Sequence, residues 1–345
     1  MLEGIITKGV GGAYTVMTNG VQPLFYTCKA RGVFRNKKVR QAHGGHRGDV
    51  SEAARSLEAG GSFAAHKKVR QAHGGHRGHV SEAARSLEAG YSFTAKKITP
   101  LVGDKVKILV GDAEKLIGTV QEILPRKNEL RRPPAANIDQ VIVTVAVAQP
   151  AFNPGFLDRL LILIEHEDIP AIICVNKKDL GGGAFDAYKM AGYEIVFTDA
   201  LTGEGLDELR EKMAGKVNLF AGASGVGKSS LINALLPDVK LETGELSEKI
   251  GRGKHTTRHT QLFPIVDWEL REAGLCFDTS GFTSLEIEHI EKSELASLFL
   301  EFRPFLGSCK FKNCSHVKEI GCAVKAAVGE EIHPARYESY VNLMG

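Results

Sequence analysis

Short runs of apolar residues, separated by Gly and Asn, make up the N-terminal part of the chain. Runs of this length between turn residues are typical of β-strands. We predict five strands, at residues 4–10, 13–18, 22–28, 104–110 and 118–124. Five short strands in a Gly-rich unit indicate a small β-barrel, for which the OB-fold is the leading candidate. The lysines and arginines around it fit a nucleic-acid surface or a merely solvated one, and the pattern leaves both open.

Longer, continuous apolar runs begin at residue 140 and alternate with segments of helical spacing. The predicted strands span residues 140–148, 171–175, 194–197 and 217–221, and the predicted helices span residues 156–165 and 206–213. Strands that alternate with helices predict a parallel α/β sheet with helices on both faces. Two consecutive prolines, Pro133 and Pro134, mark a boundary before this region. We expect a barrel at residues 1–133, an α/β domain at 134–285 and a helical metal-binding domain at 286–345.

Residues 37–66 recur almost unchanged at residues 67–95. Exposed as well as apolar positions match, which is typical of a recent duplication within a gene rather than of a packed repeat architecture. The duplicated segment carries ten Lys and Arg against five Asp and Glu, so the net charge of +3 arises there and says little about nucleic-acid binding by the rest. We expect a flexible insertion with weak helices in a barrel loop. A metal site at its two His-Gly-Gly-His segments would need more ligands than they supply.

Residues 222–229 read GASGVGKS and lie between a predicted strand and a predicted helix. This is the pattern of a P-loop, in which glycines let backbone N–H groups and a helix N-terminus surround a phosphate. We expect Lys228 to contact the β- and γ-phosphates and Ser229 to ligate Mg²⁺. The predicted phosphate-binding residues are Gly222, Ala223, Ser224, Gly225, Val226, Gly227, Lys228, Ser229 and Ser230.

An NKxD motif, formed by Asn176, Lys177 and Asp179, directly follows the predicted strand at 171–175. The Asp carboxylate of such a motif accepts hydrogen bonds from N1–H and the 2-amino group of guanine, whereas adenine presents an acceptor in that place. We therefore expect GTP as the nucleotide, and an ATPase is the alternative if Asp179 does not contact the base. Ala200, after the next strand, is expected to donate its backbone N–H to guanine O6.

Two further segments supply the remaining parts of a site for GTP hydrolysis. Residues 251–259 are polar and suited to switch I, where Thr257, or Thr256 in its place, would contact Mg²⁺ and the γ-phosphate. A DxxG motif from Asp278 to Gly281 predicts switch II, with the Asp on Mg²⁺ through water and the Gly N–H on the γ-phosphate. Because NKxD precedes the P-loop here and follows it in the usual order, the sequence predicts a circularly permuted GTPase.

A cluster of metal-ligating residue types lies near the C-terminus. Its members are Cys309, Cys314, His316 and Cys322. Three thiolates and one imidazole form a closed tetrahedral set, so we predict one structural Zn²⁺. The alternative is a group of free thiols beside an unrelated histidine. The other three cysteines lie in apolar strands, where we expect them to be core residues.

The amino-acid composition limits the classes of protein to which the chain can belong. Hydrophobic residues make up 43% of the 345 residues and charged residues 25%, as in ordinary globular proteins. The first residues, MLEGIITKGVGGAY, contain no apolar core of signal-peptide length, and no apolar run approaches the length of a membrane span. We therefore expect a cytoplasmic monomer without a membrane partner.

The barrel, the permuted NKxD, GKS and DTxG order and the CxxxxCxHxxxxxC tail together resemble the ribosome small-subunit-dependent GTPase family, RsgA, also called YjeQ. The resemblance covers nearly the whole chain outside residues 37–95. It implies a bacterial factor that binds the small ribosomal subunit and its rRNA late in assembly, in its GTP state, and is released after hydrolysis to GDP. Two departures from the family are Ser280, where Pro is common, and the duplicated insertion.

The resemblance also bears on catalysis. This chain has Phe282 after DxxG, where Ras-like enzymes carry a water-orienting Gln. The family resemblance implies instead that His255 in switch I positions the attacking water, which makes His255, Lys228 and Thr257 the expected catalytic residues. The alternative left open is a GTP-gated rRNA-binding scaffold in which hydrolysis is incidental.

Overall fold

The computed structural model describes residues 1–20, 22–32, 34–35, 97–131, 133–147, 150–177, 185–236, 260–265, 274–278, 287 and 289–345. The duplicated insertion and its expected helices lie outside these residues. The chain forms two compact units, residues 1–32 with 100–345, and residues 33–99. The second unit contributes one antiparallel pair of two-residue strands to the described part of the chain.

The strands, in chain order, are β1 (Leu2–Val10), β2 (Ala13–Thr18), β3 (Phe25–Ala30), β4 (Phe34–Arg35), β5 (Lys97–Ile98), β6 (Lys105–Asp112), β7 (Ile117–Ile123), β8 (Glu129–Arg131), β9 (Pro134–Ala136), β10 (Gln140–Ala146), β11 (Ala171–Asn176), β12 (Glu194–Phe197), β13 (Val217–Ala221), β14 (Gln261–Ile265) and β15 (Gly274–Asp278). The α-helices are α1 (Pro154–His166), α2 (Asp186–Met190), α3 (Leu206–Met213), α4 (Lys228–Leu235), α5 (Lys292–Leu295), α6 (Ala323–Ala326) and α7 (Pro334–Met344).

Five strands close into a barrel. β1 pairs antiparallel with both β2 and β6, β2 pairs with β3, and β7 joins β6 antiparallel and β3 parallel. This closed Greek-key order is that of an OB-type barrel, as the sequence predicts. Its interior is apolar and includes Ile6, Val16, Cys28, Ile108 and Val120, each 0% exposed.

The third barrel strand begins later than its apolar pattern predicts. We expected it at residues 22–28, whereas β3 begins at Phe25. The backbone N–H of Thr18 donates to Leu24 O at 2.9 Å, and the Thr18 hydroxyl accepts from the Leu24 N–H at 3.0 Å. These bonds close a turn that contains Pro23, which has no N–H to give to a sheet. The turn therefore displaces the start of the strand.

A six-stranded sheet forms the α/β part of the chain, in the order β12, β11, β10, β13, β15, β14. Five of its strands are parallel, and β14 is antiparallel to β15. Strands β10 and β13 are buried along their whole length, which explains their mainly apolar sequences. β14 also pairs with barrel strand β1 at Gln261 and Lys8, so the sheet continues into the barrel.

Helix α1 follows β10 and packs on the sheet. The side chain of Asn153 accepts a hydrogen bond from the Phe156 N–H at 3.1 Å, and Pro154 occupies the first turn. Both features favour a helix start at this point. Its buried face includes Leu157, Leu160 and Leu161, so burial rather than local propensity fixes the helix.

The C-terminal residues form a small helical subdomain with its own core. Short helices, including two 3₁₀ segments at Ala296–Leu298 and Leu300–Phe305, surround this core. Phe299, Phe302 and Tyr340 lie at its centre, and Ile162 of α1 joins the same cluster. The subdomain and the α/β part thus share apolar contacts across α1. Within the described residues, the helices include none with the length and hydropathy needed to cross a membrane.

Candidate nucleotide site and metal centre

The glycine-rich loop lies between β13 and α4, as its sequence predicts. Gly222 has φ +147°, and a Cβ there would lie 2.1 Å from the carbonyl oxygen of Thr144. Gly227 has φ +95°, and a Cβ there would lie 2.2 Å from Nδ2 of Asn176. A side chain at either position would collide with fixed neighbours, so the close approach of the loop to β10 and β11 requires glycine.

Helix α4 presents its N-terminus to the loop. Gly227 is its N-cap residue, and among the described residues no side chain caps the first N–H groups. Unsatisfied N–H groups and the helix dipole favour an anion at this end. The Lys228 ammonium donates to the carbonyl oxygens of Gly222, at 3.0 Å, and Ala223, at 2.6 Å. The loop therefore forms a compact, electropositive cradle for a phosphate.

Lys228 and Asp278 lie close enough to influence each other's titration. Burial lowers the pKa of Lys228 to about 8, while the Asp278 carboxylate acts in the opposite direction. Burial likewise raises the pKa of Asp278, and Lys228 opposes that change. The predicted P-loop lysine and switch II aspartate are thus brought together at one edge of the sheet. Gly281, Thr256, Thr257 and His255 lie outside the described residues.

The first two residues of NKxD contact the P-loop directly. Asn176 is 1% exposed and donates from Nδ2 to the carbonyl oxygen of Val226 at 2.9 Å. Lys177 has φ +62° and donates from Nζ to the carbonyl oxygen of Gly225 at 2.8 Å. These two hydrogen bonds therefore join the carboxyl end of β11 to the P-loop. Asp179 lies outside the described residues.

The loop after β12 completes this arrangement. The backbone N–H of Ala200 donates to Oδ1 of Asn176 at 3.2 Å, so the predicted base-contacting residues adjoin each other. Asp199, which the sequence analysis did not single out, is 3% exposed and accepts from the N–H groups of Leu201, at 2.7 Å, and Thr202, at 3.3 Å. The Asp before a Gly-containing turn was the signal for this role, because Asp side chains commonly close such turns.

The four predicted metal ligands form one cluster. The ligand atoms of Cys309, Cys314, His316 and Cys322 all lie within 4.8 Å of one another. The His316 Nδ1 atom lies 3.5 Å from the Cys309 Sγ and 3.4 Å from the Cys322 Sγ, and these two sulfurs are 3.9 Å apart. Thiolates at the usual Zn–S distance around a tetrahedral ion would be separated by about 3.8 Å. The donor set and its spacing therefore fit a tetrahedral metal ion.

Backbone groups support the same cluster. The N–H groups of Ala323 and Lys325 point at the Cys309 Sγ, at 3.3 Å, and the Cys322 Sγ, at 3.4 Å. Such bonds stabilise thiolates and orient metal ligands. The remaining cysteines, Cys28, Cys174 and Cys276, are buried in β3, β11 and β15 as expected.

A parallel sheet with a P-loop, with NKxD before that loop in the chain and with Asp278 beside its lysine, defines a circularly permuted P-loop GTPase. A family model described as RsgA GTPase matches residues 123–288, and one described as RsgA N-terminal domain matches residues 3–46. The chain belongs to the RsgA family of GTPases, as its motif order and C-terminal cluster suggest.

Individual relatives match over most of their length. The chain is 47% identical over 251 residues to the small ribosomal subunit biogenesis GTPase RsgA of Agathobacter rectalis, covering 71% of this chain and 82% of that protein. It is 45% identical over 259 residues to the protein of the same name in Geobacillus thermodenitrificans, covering 72% and 85%. A crystal structure described as YloQ, a circularly permuted GTPase, superimposes with a TM-score of 0.68 at 31% identity, covering 100% of this chain and 94% of that one.

Proposed function

We propose that this GTPase acts in late maturation of the small ribosomal subunit, binding the subunit and its rRNA in the GTP state and leaving after hydrolysis. Three hydrogen bonds carry the proposal. Asn176 and Lys177 donate to carbonyl oxygens of the P-loop, and the Ala200 N–H donates to Asn176. This arrangement holds base-recognition and phosphate-recognition groups in one fixed frame. The curated relatives, named for small ribosomal subunit biogenesis, supply the proposed partner.

The nucleotide contacts follow from the chemistry of each group. We assign the guanine base to Asn176, Lys177, Asp179 and Ala200. The phosphates are assigned to residues 222–230 and Gly281, with Lys228 offsetting charge that develops during transfer. Mg²⁺ would be held by Ser229, Thr257 and Asp278, and would supply charge neutralisation at the β- and γ-oxygens. His255 is the residue proposed to position the attacking water.

A zinc ion is the proposed occupant of the Cys/His cluster. The ligands Cys309, Cys314, His316 and Cys322 leave no tetrahedral position open, so the ion would stabilise structure rather than take part in hydrolysis. The small apolar core of this subdomain makes such a constraint energetically important, because short helices cannot bury much surface by themselves.

The segment around the metal cluster, residues 309–325, which we call the knuckle, supports contact with rRNA. Its exposed surface carries four lysines, Lys310, Lys312, Lys318 and Lys325. Phe311 is 50% exposed between two of them, and aromatic rings beside basic groups are suited to stack on unpaired bases. The acid of this segment, Glu319, accepts hydrogen bonds from the N–H groups of Ser315, at 2.8 Å, and Lys318, at 3.1 Å. These bonds therefore hold the Glu319 carboxylate against the backbone of its own loop.

Three further assignments complete the proposal. We place the protein in the cytoplasm, where ribosomal subunits are assembled in bacteria, and expect it to act as a monomer. We also propose the division into a barrel at 1–133, a GTPase domain at 134–285 and a metal-binding domain at 286–345.

The test is GTP hydrolysis by the purified protein, with and without isolated small ribosomal subunits and with ATP as the control nucleotide. The proposal predicts GTP-specific turnover that subunits strongly stimulate, and it is contradicted if turnover is GTP-specific but unchanged by subunits. His255→Ala separates the enzyme from a GTP-gated scaffold. Loss of both turnover and assembly activity supports the enzyme, whereas normal assembly without turnover supports the scaffold.

A further inference from the structure

A buried arginine joins the C-terminal subdomain to the GTPase domain. Arg336 of α7 is 2% exposed and donates from Nε to the Glu301 carboxylate at 2.7 Å. It also donates from a terminal nitrogen to the carboxylate of Asp158, which lies on α1 and is 2% exposed. Burial by itself would lower the pKa of Arg336, but Glu301 and Asp158 raise it above the ordinary value. The three charged side chains therefore pair with one another, and each is at most 3% exposed.

The same helix is attached to the metal-binding loop. The hydroxyl of Tyr337 donates to the carbonyl oxygen of His316 at 2.8 Å, and that of Tyr340 donates to the carbonyl oxygen of Ser315 at 2.7 Å. One of these carbonyls belongs to a proposed metal ligand. The position of α7, and hence of Arg336, is thus tied to the geometry of the metal cluster.

From Arg336 a series of aromatic contacts leads to the base-binding loop. The guanidinium lies over the ring of Tyr188 in α2, 5.3 Å from its centroid. The ring of Phe152 lies 6.3 Å from Tyr188 and 4.7 Å from Phe185, and Phe185 lies 6.2 Å from Phe197.

Phe197 ends β12, directly before the loop in which Ala200 contacts Asn176. Hydrogen bonds, the buried charges and the aromatic series therefore connect the metal-binding loop to the half-exposed ring of Phe197, at the start of the guanine-binding loop.

We propose that Arg336 is a positioning residue for the guanine site, which couples the metal-bound state of the C-terminal knuckle to nucleotide affinity through Tyr188. The inference rests on the proposed guanine and metal sites. The physical basis is that a buried arginine between two carboxylates has few alternative positions, since separating one partner leaves an uncompensated charge. When the metal is removed, the C-terminal subdomain unfolds, α7 no longer holds Arg336 in place, and the Tyr188 contact that supports α2 is lost.

The experiment measures the affinity of the full chain for a fluorescent GTP analogue before and after removal of the metal by a chelator. For the unaltered chain we expect metal removal to weaken binding about 10-fold, within the range usual for coupled sites. Arg336→Met should bind the analogue weakly in both states, with the 10-fold difference abolished. The matched control is Arg303→Met. Arg303 joins the same subdomain to α1 through Glu165, at 2.7 Å, but lies outside the aromatic series, so this variant should retain the full difference.

A second variant keeps the test valid if Arg336→Met loses its metal through misfolding. Tyr188→Leu leaves the three buried charges in place and removes the ring between Arg336 and Phe152, together with the bond from the Tyr188 hydroxyl to the Pro154 carbonyl oxygen, so it should retain metal and lose the coupling. By reciprocity, GTP should raise the metal affinity of the unaltered chain about 10-fold but leave that of Tyr188→Leu unchanged.

Undiminished coupling in Tyr188→Leu, or equal loss of coupling in Arg303→Met, would overturn the inference. If metal-loaded unaltered protein fails to bind GTP, the proposed function itself is wrong. If it binds GTP with an affinity that the metal does not change, only this inference is wrong.

Discussion

The nucleotide-binding sheet and the C-terminal subdomain reach order by different means. Strands β10 and β13 are buried at every position and hydrogen-bond to neighbours on both sides, so many small contributions hold the sheet. The subdomain has four-residue helices such as α5 and α6, a small aromatic core and one Cys/His cluster. A fold held by few strong interactions is more sensitive to single changes than a fold held by many weak ones. The predictions below test this contrast, from the largest expected effect to the smallest.

Loss of one metal ligand should separate the two regions most clearly. Cys309→Ser, or a strong chelator, should remove the ion and unfold the C-terminal subdomain while the sheet keeps its own unfolding transition, because structural zinc contributes about 10 kcal/mol to small folds. Metal content and a two-probe denaturation curve report the result. Cys28→Ala, a buried cysteine outside the cluster, is the control and should retain metal. If the subdomain stays folded without metal, it does not depend on one strong interaction, and the two regions do not differ in the way described.

The aromatic core of the subdomain should be the next most sensitive feature. Phe302 is 0% exposed, with its ring 4.9 Å from that of Tyr340 and 5.1 Å from that of Phe299. Phe302→Ala should reduce the free energy of unfolding of the subdomain by about 3–5 kcal/mol, since so small a core cannot collapse around the cavity. Phe311→Ala, at a half-exposed ring, should cost less than about 0.5 kcal/mol. Equal effects of the two changes, measured by denaturant titration, would be inconsistent with this core.

Within the sheet, the site residues should affect binding more than stability. Asn176→Ala removes the bonds to Val226 and Ala200 and should weaken GTP binding about 10–100-fold, which corresponds to about 1–3 kcal/mol. Titration with a fluorescent GTP analogue measures the loss, and Asn313→Ala at an exposed knuckle position is the control. Unchanged GTP affinity would show that Asn176 does not link the base and phosphate loops.

The polar contact between the two regions should matter least. Burial raises the pKa of Glu165 above its ordinary value of 4.5, against the effect of Arg303. A raised folded-state pKa means that the folded chain holds this proton more tightly. The stabilisation that this proton gives to the folded state is complete below the pKa of Glu165 in the unfolded chain. It is lost as the pH rises through the pKa of Glu165 in the folded chain.

Glu165→Gln keeps one acceptor oxygen for Arg303, and its amide N–H can donate to the Tyr193 hydroxyl, but it cannot ionise. It should therefore remove this pH dependence and change stability at pH 7 by less than about 1 kcal/mol. Denaturation midpoints at pH 5 and 7.5, with exposed Glu167→Gln as control, measure the difference. If Glu165→Gln lowers the free energy of unfolding at pH 7 by more than about 2 kcal/mol, the ionised pair of Glu165 and Arg303 stabilises the fold more than the desolvation of Glu165 suggests.

The same contrast explains what sequence alone can predict. Periodicity and chain order were enough for β10, β11 and β13, because parallel strands buried on both faces have mainly apolar sequences, and for the edge strand β12, whose short apolar run precedes a predicted helix. The Cys/His spacing was likewise enough to bring four ligands together. These features depend on local pattern, which a sequence displays directly.

Features that depend on distant partners were not predictable. Arg336 and Asp158 are 178 positions apart, and each alone resembles an ordinary surface charge. The turn that delays β3 depends on bonds between Thr18 and Leu24, which the apolar pattern does not report. The four-residue helices α5 and α6 are too short to show a period, so tertiary contacts rather than pattern determine them.

The most direct test of the account is the nucleotide preference of Asp179→Asn. Although Asp179 lies outside the described residues, the motif to which it belongs begins at Asn176, fastened to the P-loop. If its carboxylate accepts from guanine N1–H and the 2-amino group, an amide should weaken GTP binding and favour xanthosine triphosphate, which carries an acceptor in place of the 2-amino group. Competition titrations with GTP, XTP and ATP should show this reversal, with ATP bound weakly throughout. An unchanged nucleotide preference in the variant would contradict the guanine site on which the account depends.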